Sequence, residues 1–187
     1  PYEHNGIKLF SGQGYKLSDE VEGRIEDRIL SEAPMKLRTR GEIGRLVSDG
    51  GRRKVDYIDF VASTISEDLH GMRILVDCAN GAASATAPDL FDGLPLHADF
   101  IHREPDGVNI NDGCGSTHLK SLSEGVVAGG YDLGIAFDGD ADRCLLVDET
   151  GHTIDGDKVM AVCGADLRRH GKLSGNAIVA TVMSNLG

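Results

Sequence analysis

The chain has 187 residues, of which 40% are hydrophobic and 26% charged, proportions of a soluble globular fold with enough apolar side chains for a substantial core. A formal net charge of −11 offers no basic face, which excludes general nucleic-acid binding. No apolar run approaches the ~20 residues of a membrane helix, nothing reads as a signal peptide, and four widely spaced cysteines without a CxxC pair predict the reduced thiols of a cytoplasmic protein rather than a disulfide framework or a structural zinc.

Ser18 reads as an N-cap, with Asp19, Glu20 and Glu22 in a first turn where the helix dipole favours anions. Val21, Ile25 and Ile29 share one face, predicting a helix to about Leu30. Residues 31–53 lack periodicity and read as a solvated connection. A second helix is expected from near Asp56, with Ile58, Val61, Ile65 and Leu69 on its stripe. From Met72 the rhythm changes. Residues 73–77 read as a short strand, 79–81 as a turn, and an Ala-rich helix follows to about Phe91. Residues 96–101 predict a strand and 116–127 a helix. Residues 131–137 and 144–147 predict strands, and 155–170 a helix stopped by Gly171. Residues 177–182 read as a buried strand opening a new unit. Alternation of strands and helices predicts an α/β fold, with mixed or parallel sheets layered between helices. Breaks near Val55 and Asp155 divide the chain into 1–54, 55–155 and 156–187.

The chemistry concentrates in DGDADR at 138–143, directly after the apolar run 133–137. Asp138, Asp140 and Asp142 alternate with small residues, so their carboxylates can turn towards one point. Close together they repel unless a cation or solvent compensates them, and hard oxygen donors select Mg²⁺ or a similar ion. Three readings compete. As a calcium loop, the acids take the first, third and fifth positions and Glu149 the twelfth, but Arg143 stands where the sharp turn wants glycine, and the flanks read as strands. As a phosphatase-type site, Asp138 at a strand end is the nucleophile.

The third reading is a resemblance. FDGDADR at 137–143 resembles the metal-binding loop of the α-D-phosphohexomutase superfamily. PYEHNGIK at 1–8 resembles the stretch after that superfamily's phosphoserine loop, and DCANGAA at 77–83, NINDGCGSTH at 109–118 and ATVMSN at 180–185 are similar to its members as well. The resemblance implies phosphohexomutase domains: the end of a first domain and a linker at 1–54, a second domain with the metal loop at 55–155, and the start of a third at 156–187.

It implies isomerase activity on a phosphorylated hexosamine or related hexose, by phosphoryl transfer through a phosphoserine lying before Pro1. Asp138, Asp140 and Asp142 are then the Mg²⁺ ligands and Arg143 a phosphate contact, since guanidinium forks match phosphate oxygens. Lys8 becomes an acid/base or charge-stabilising group at the catalytic centre. His118 reads as a core histidine holding its loop, and His4 has no role. The chain, which lacks the serine and the sugar- and phosphate-binding loops expected after Gly187, is expected to be an inactive piece of a longer cytoplasmic enzyme, with a homodimer as one possible assembly. A non-catalytic Ca²⁺ module is the competing reading from another class.

Overall fold

The computed structural model describes residues 2–4, 6–31, 34, 37–45 and 47–184. It divides into two units, 3–51 and 52–187 together with 1–2. In the first, helix α1 (Asp19–Leu30) begins at Ser18, whose side chain accepts a hydrogen bond from the Val21 N–H, and none of its residues is buried. The described residues after it are exposed, with a single 3₁₀ turn at Arg40–Glu42.

The second unit opens with α2 (Arg52–Ala62). This helix starts earlier and ends sooner than its periodicity predicts. The Ser63 and Thr64 hydroxyls each donate back to a carbonyl of the last turn, Phe60 O and Val61 O, both at 2.7 Å, and such local bonds compete with continuing the helix. The sheet contains β1 (Arg73–Asp77), β2 (His97–Ile101), β3 (Leu133–Phe137), β4 (Cys144–Asp148) and β5 (Thr153–Ile154) in the order β2-β1-β3-β4-β5. β1 is parallel to β2 and β3; β4 runs antiparallel to β3 and β5.

Side chains alternate across β1, and each face meets a helix. Ile74 and Val76 pack with Ala83 and Ala87 of α3 (Ala83–Asp92) on one face. Leu75, Ala136 and Val147 pack with Leu122 and Val126 of α4 (Lys120–Gly129) on the other. Four of the five residues of β1 are buried, as expected of a strand covered on both sides. The architecture is therefore α/β/α, with the carboxyl ends of the three parallel strands on one rim.

Two expectations are corrected. The helix predicted over 116–127 begins only at Lys120, because residues 115–117 form a 3₁₀ turn in which Gly115 takes a φ of +71° and its N–H donates to Asp77. Helix α5 (Gly156–Arg169), capped by Asp155, is followed by no strand over 177–182; Val179 and Val182 are 94% and 101% exposed. An apolar run becomes a strand only when another strand completes its backbone hydrogen bonds, and none among the described residues does.

Candidate metal and phosphate site

Three loops leave the rim: 78–82 after β1, 102–119 after β2, and 138–143 between β3 and β4. They interlock through their backbones. The Ala82 N–H donates to Gly139 O at 2.8 Å, the Asn111 N–H to Ala79 O at 2.9 Å, and the Asn80 N–H to His102 O at 2.6 Å. The approach is close enough to need glycine. A Cβ on Gly81 meets Gly139 O at 2.3 Å, and one on Gly115 meets Phe137 O at 2.6 Å. Asp77, fully buried at the end of β1, holds this assembly. Its Oδ1 accepts from the Ala79 N–H and its Oδ2 from the Gly115 N–H, each at 2.9 Å.

The 138–143 loop is a tight reversal closed by the Asp138 N–H donating to Arg143 O, with Ala141 at a φ of +59°. Asp138 is 5% exposed. Its carboxylate accepts from Arg143 three times, from the backbone N–H at 3.1 Å, Nε at 3.0 Å and Nη2 at 2.8 Å. Burial pushes the Asp138 carboxyl up, but these bonds and the guanidinium charge outweigh it and hold the group below the usual carboxylate range. The Arg143 guanidinium is raised by the same hydrogen bond to Asp138 and by its charge. Asp142 Oδ1 stands 3.8 Å from Arg143 Nε, and Asp140 and Asp142 are exposed.

The structure thus brings Asp138 and Arg143 together, with Asp142 at their margin. Among the described residues, the one group of three His, Cys, Asp or Glu ligand atoms within 4.8 Å of one another is Asp77, His102 and Cys114; the three carboxylates of 138–143 are not gathered that tightly. The reason is electrostatic. Like charges separate, and the buried carboxylate takes the nearest guanidinium. The donor set nevertheless suits Mg²⁺ in kind, all carboxylate and partly open to water.

Lys8 is exposed and lies in the first unit beside Lys16 and Glu22, lining a cleft with Leu9, Phe10 and Ile25. His118 is corrected from a core residue to an exposed one; its Nδ1 lies 3.1 Å from the Thr117 hydroxyl. Pro1 and Asn5 of the first motif and Asn185 of the last lie outside the described residues. Sequence reading missed the role of Asp77. Its available signal was a carboxylate ending an apolar strand just before the turn residues Asn80 and Gly81.

A family model described as phosphoglucomutase/phosphomannomutase, alpha/beta/alpha domain II, matches residues 55–151, the span of the sheet and its rim loops up to the turn after β4. The chain belongs to this family. Phosphoglucosamine mutases from Acetivibrio thermocellus and Clostridium kluyveri are 52% and 47% identical to it over 188 residues, covering 100% of the chain. The chain spans 42% of the length of each. A phosphoglucomutase/phosphomannomutase family structure from Burkholderia thailandensis superposes with a TM-score of 0.52 and 25% identity, covering 63% of this chain and 26% of that one. A Thermus thermophilus structure reaches 0.54 at 18% identity, covering 63% of this chain and 29% of its own, a likeness of fold alone.

Proposed function

We propose that this chain is part of a phosphoglucosamine mutase, an isomerase that interconverts glucosamine 6-phosphate and glucosamine 1-phosphate by moving a phosphoryl group through a phosphoserine. The observation that carries the reading is the identity of about half to proteins of that name, over a match that covers the whole chain. Residues 1–54 then end a first domain, 55–155 form the second and 156–187 begin a third. The four free cysteines suit a reducing cytoplasm.

Asp138, Asp140 and Asp142 would hold Mg²⁺, which when bound supplies positive charge against the phosphoryl oxygens. Asp138 is already placed by the backbone; Asp140 and Asp142, exposed, adjust to the ion. Arg143, 70% exposed at its side chain, has guanidinium surface beyond its bonds to Asp138 and can orient a phosphate. Lys8 serves as acid/base or as a second positive charge at the transferring group.

A coupled assay of the full-length protein for glucosamine 1-phosphate tests this. Turnover is expected with Mg²⁺ and lost on chelation, and Arg143→Ala is expected to cost ~10²–10³ in rate, the scale of one removed electrostatic contact. The 187-residue chain alone is expected to be silent. Turnover of glucose or mannose phosphates in preference to the amino sugar would reassign the substrate within the family. Full activity in excess chelator would remove the metal from the scheme.

A further inference from the structure

Beyond the Asp loop, one other group of side chains among the described residues has the chemistry of a ligand site. Asp77 ends β1, His102 follows β2 and Cys114 precedes the 3₁₀ turn, and one ligand atom from each lies within 4.8 Å of the other two. Asp77 and Cys114 are fully buried. His102 is the member with exposed surface, 31% at its side chain. We propose that these three residues bind a borderline-soft divalent ion of the Zn²⁺ class, at a site separate from the 138–143 loop.

The donor set decides the ion. One carboxylate oxygen, one imidazole nitrogen and one sulfur are the ligands Zn²⁺ prefers, and three protein ligands leave its fourth position for water or a small anion. Mg²⁺ requires oxygen donors and keeps its waters, so a largely buried donor set containing sulfur excludes it.

The Asp77 carboxylate is already fixed without help from the histidine, by the N–H groups of Ala79 and Gly115. Such outer hydrogen bonds orient a metal-binding carboxylate. His102 Nδ1 stands 3.0 Å from Asp77 Oδ2, yet this buried nitrogen has no hydrogen-bond partner, since the atoms are near but not aligned for one. A histidine serving only as a clamp would donate to that oxygen. An ion between the two atoms and the sulfur satisfies the nitrogen through its lone pair.

Residues 77, 102 and 114 are too far apart in sequence to form a local zinc motif, and only the parallel strand ends bring them together. On binding, the Cys114 S–H bond breaks, its proton leaves to the buffer, and a metal–sulfur bond replaces it; no oxidation is involved. The bound ion cross-links the carboxyl ends of β1 and β2 to the loop before α4.

The test uses the full chain in a Cys144→Ser, Cys163→Ser background, which removes the two exposed thiols. Zn²⁺ is titrated against a chromophoric chelator with excess Mg²⁺ present, and Co²⁺ serves as a spectroscopic probe. The expected result is one tight Zn²⁺ per chain, undisplaced by Mg²⁺, with a thiolate-to-cobalt charge-transfer band. Cys114→Ser is expected to abolish the band. His102→Asn, on a partly exposed loop where Asn tolerates the left-handed backbone, is expected to weaken Zn²⁺ at least about ten-fold. Absence of the band in the parent protein, or unchanged Zn²⁺ affinity in His102→Asn, overturns the proposal. If Cys114→Ser does not fold, the histidine variant and the parent spectrum decide alone. Activity with Mg²⁺ is a separate measurement, so failure of this site leaves the mutase reading untouched.

Discussion

Four thiols of one chain meet two different environments. Burial, followed by the charge of Asp77, pushes the Cys78 thiol up to about 12 and the Cys114 thiol to about 11, whereas Cys144 and Cys163 are exposed. In the absence of metal, a chromogenic disulfide reagent at neutral pH is expected to titrate two thiols quickly and the other two only after denaturation. The linkage has a definite sign. A thiol whose pKa is raised on folding contributes its full stability below the ordinary value near 9 and loses it as pH rises towards 11 and 12. Urea melts are therefore expected to weaken progressively above pH ~9, and Cys78→Ala is expected to flatten that alkaline decline. Sterics set a second residue-scale outcome. Gly81→Ala drives a methyl against the Gly139 carbonyl, backbone against backbone, and is expected to destabilise by about 1–3 kcal/mol in urea unfolding. A neutral result would show that the rim loops separate freely.

At the level of elements, α4 is held to the sheet by Leu122 and Val126, both fully buried. Leu122→Ala removes the centre of that contact and is expected to cost about 2–5 kcal/mol, read from the urea midpoint. The helix approaches the sheet closely at Gly134 of β3, where an added Cβ meets Val126 Cγ2 at 2.7 Å. Valine in a helix is nearly confined to one rotamer and cannot swing aside. Gly134→Ala is accordingly expected to be more destabilising in the native background than in Val126→Ala, with a coupling of about 0.5–3 kcal/mol in the double-mutant cycle. Additive effects would place the helix farther from the strand. The antiparallel pair β3–β4 matters for a different reason. Its reversal at 138–143 puts Asp138 and Arg143 at either end of one tight loop, so their ion pair is a product of the turn.

For the whole molecule, the informative feature is the division at residue 51. Gly50 and Gly51 are exposed and adopt φ values of +66° and +82°, and Arg45, Arg52 and Arg53 flank them. An irregular exposed segment of this kind is where a protease finds extended chain. Brief trypsin treatment is expected to cut within 45–54 and leave a product starting there that retains the sheet and both covering helices. Mass spectrometry of the first products checks it, and early cleavage between 73 and 148 would contradict the division.

Four of the five strands, and the helices between them in chain order, were legible in the amino-acid sequence because apolar period and turn chemistry are local properties; the two-residue β5 was too short to show. Residues 73–77 and 133–137 are short apolar runs bounded by turn signals, and Ser18 and Asp155 announce the helices they cap. The acidic loop was legible too, since its chemistry sits in six consecutive residues. Tertiary structure decided what depends on distant partners. It delayed α4 by tying Gly115 to Asp77 and left 177–182 without a strand among the described residues. It also gathered Asp77, His102 and Cys114 from three separate segments. Local patterns report what a segment prefers. Only the parallel strand ends, meeting at one rim, determine which side chains become neighbours.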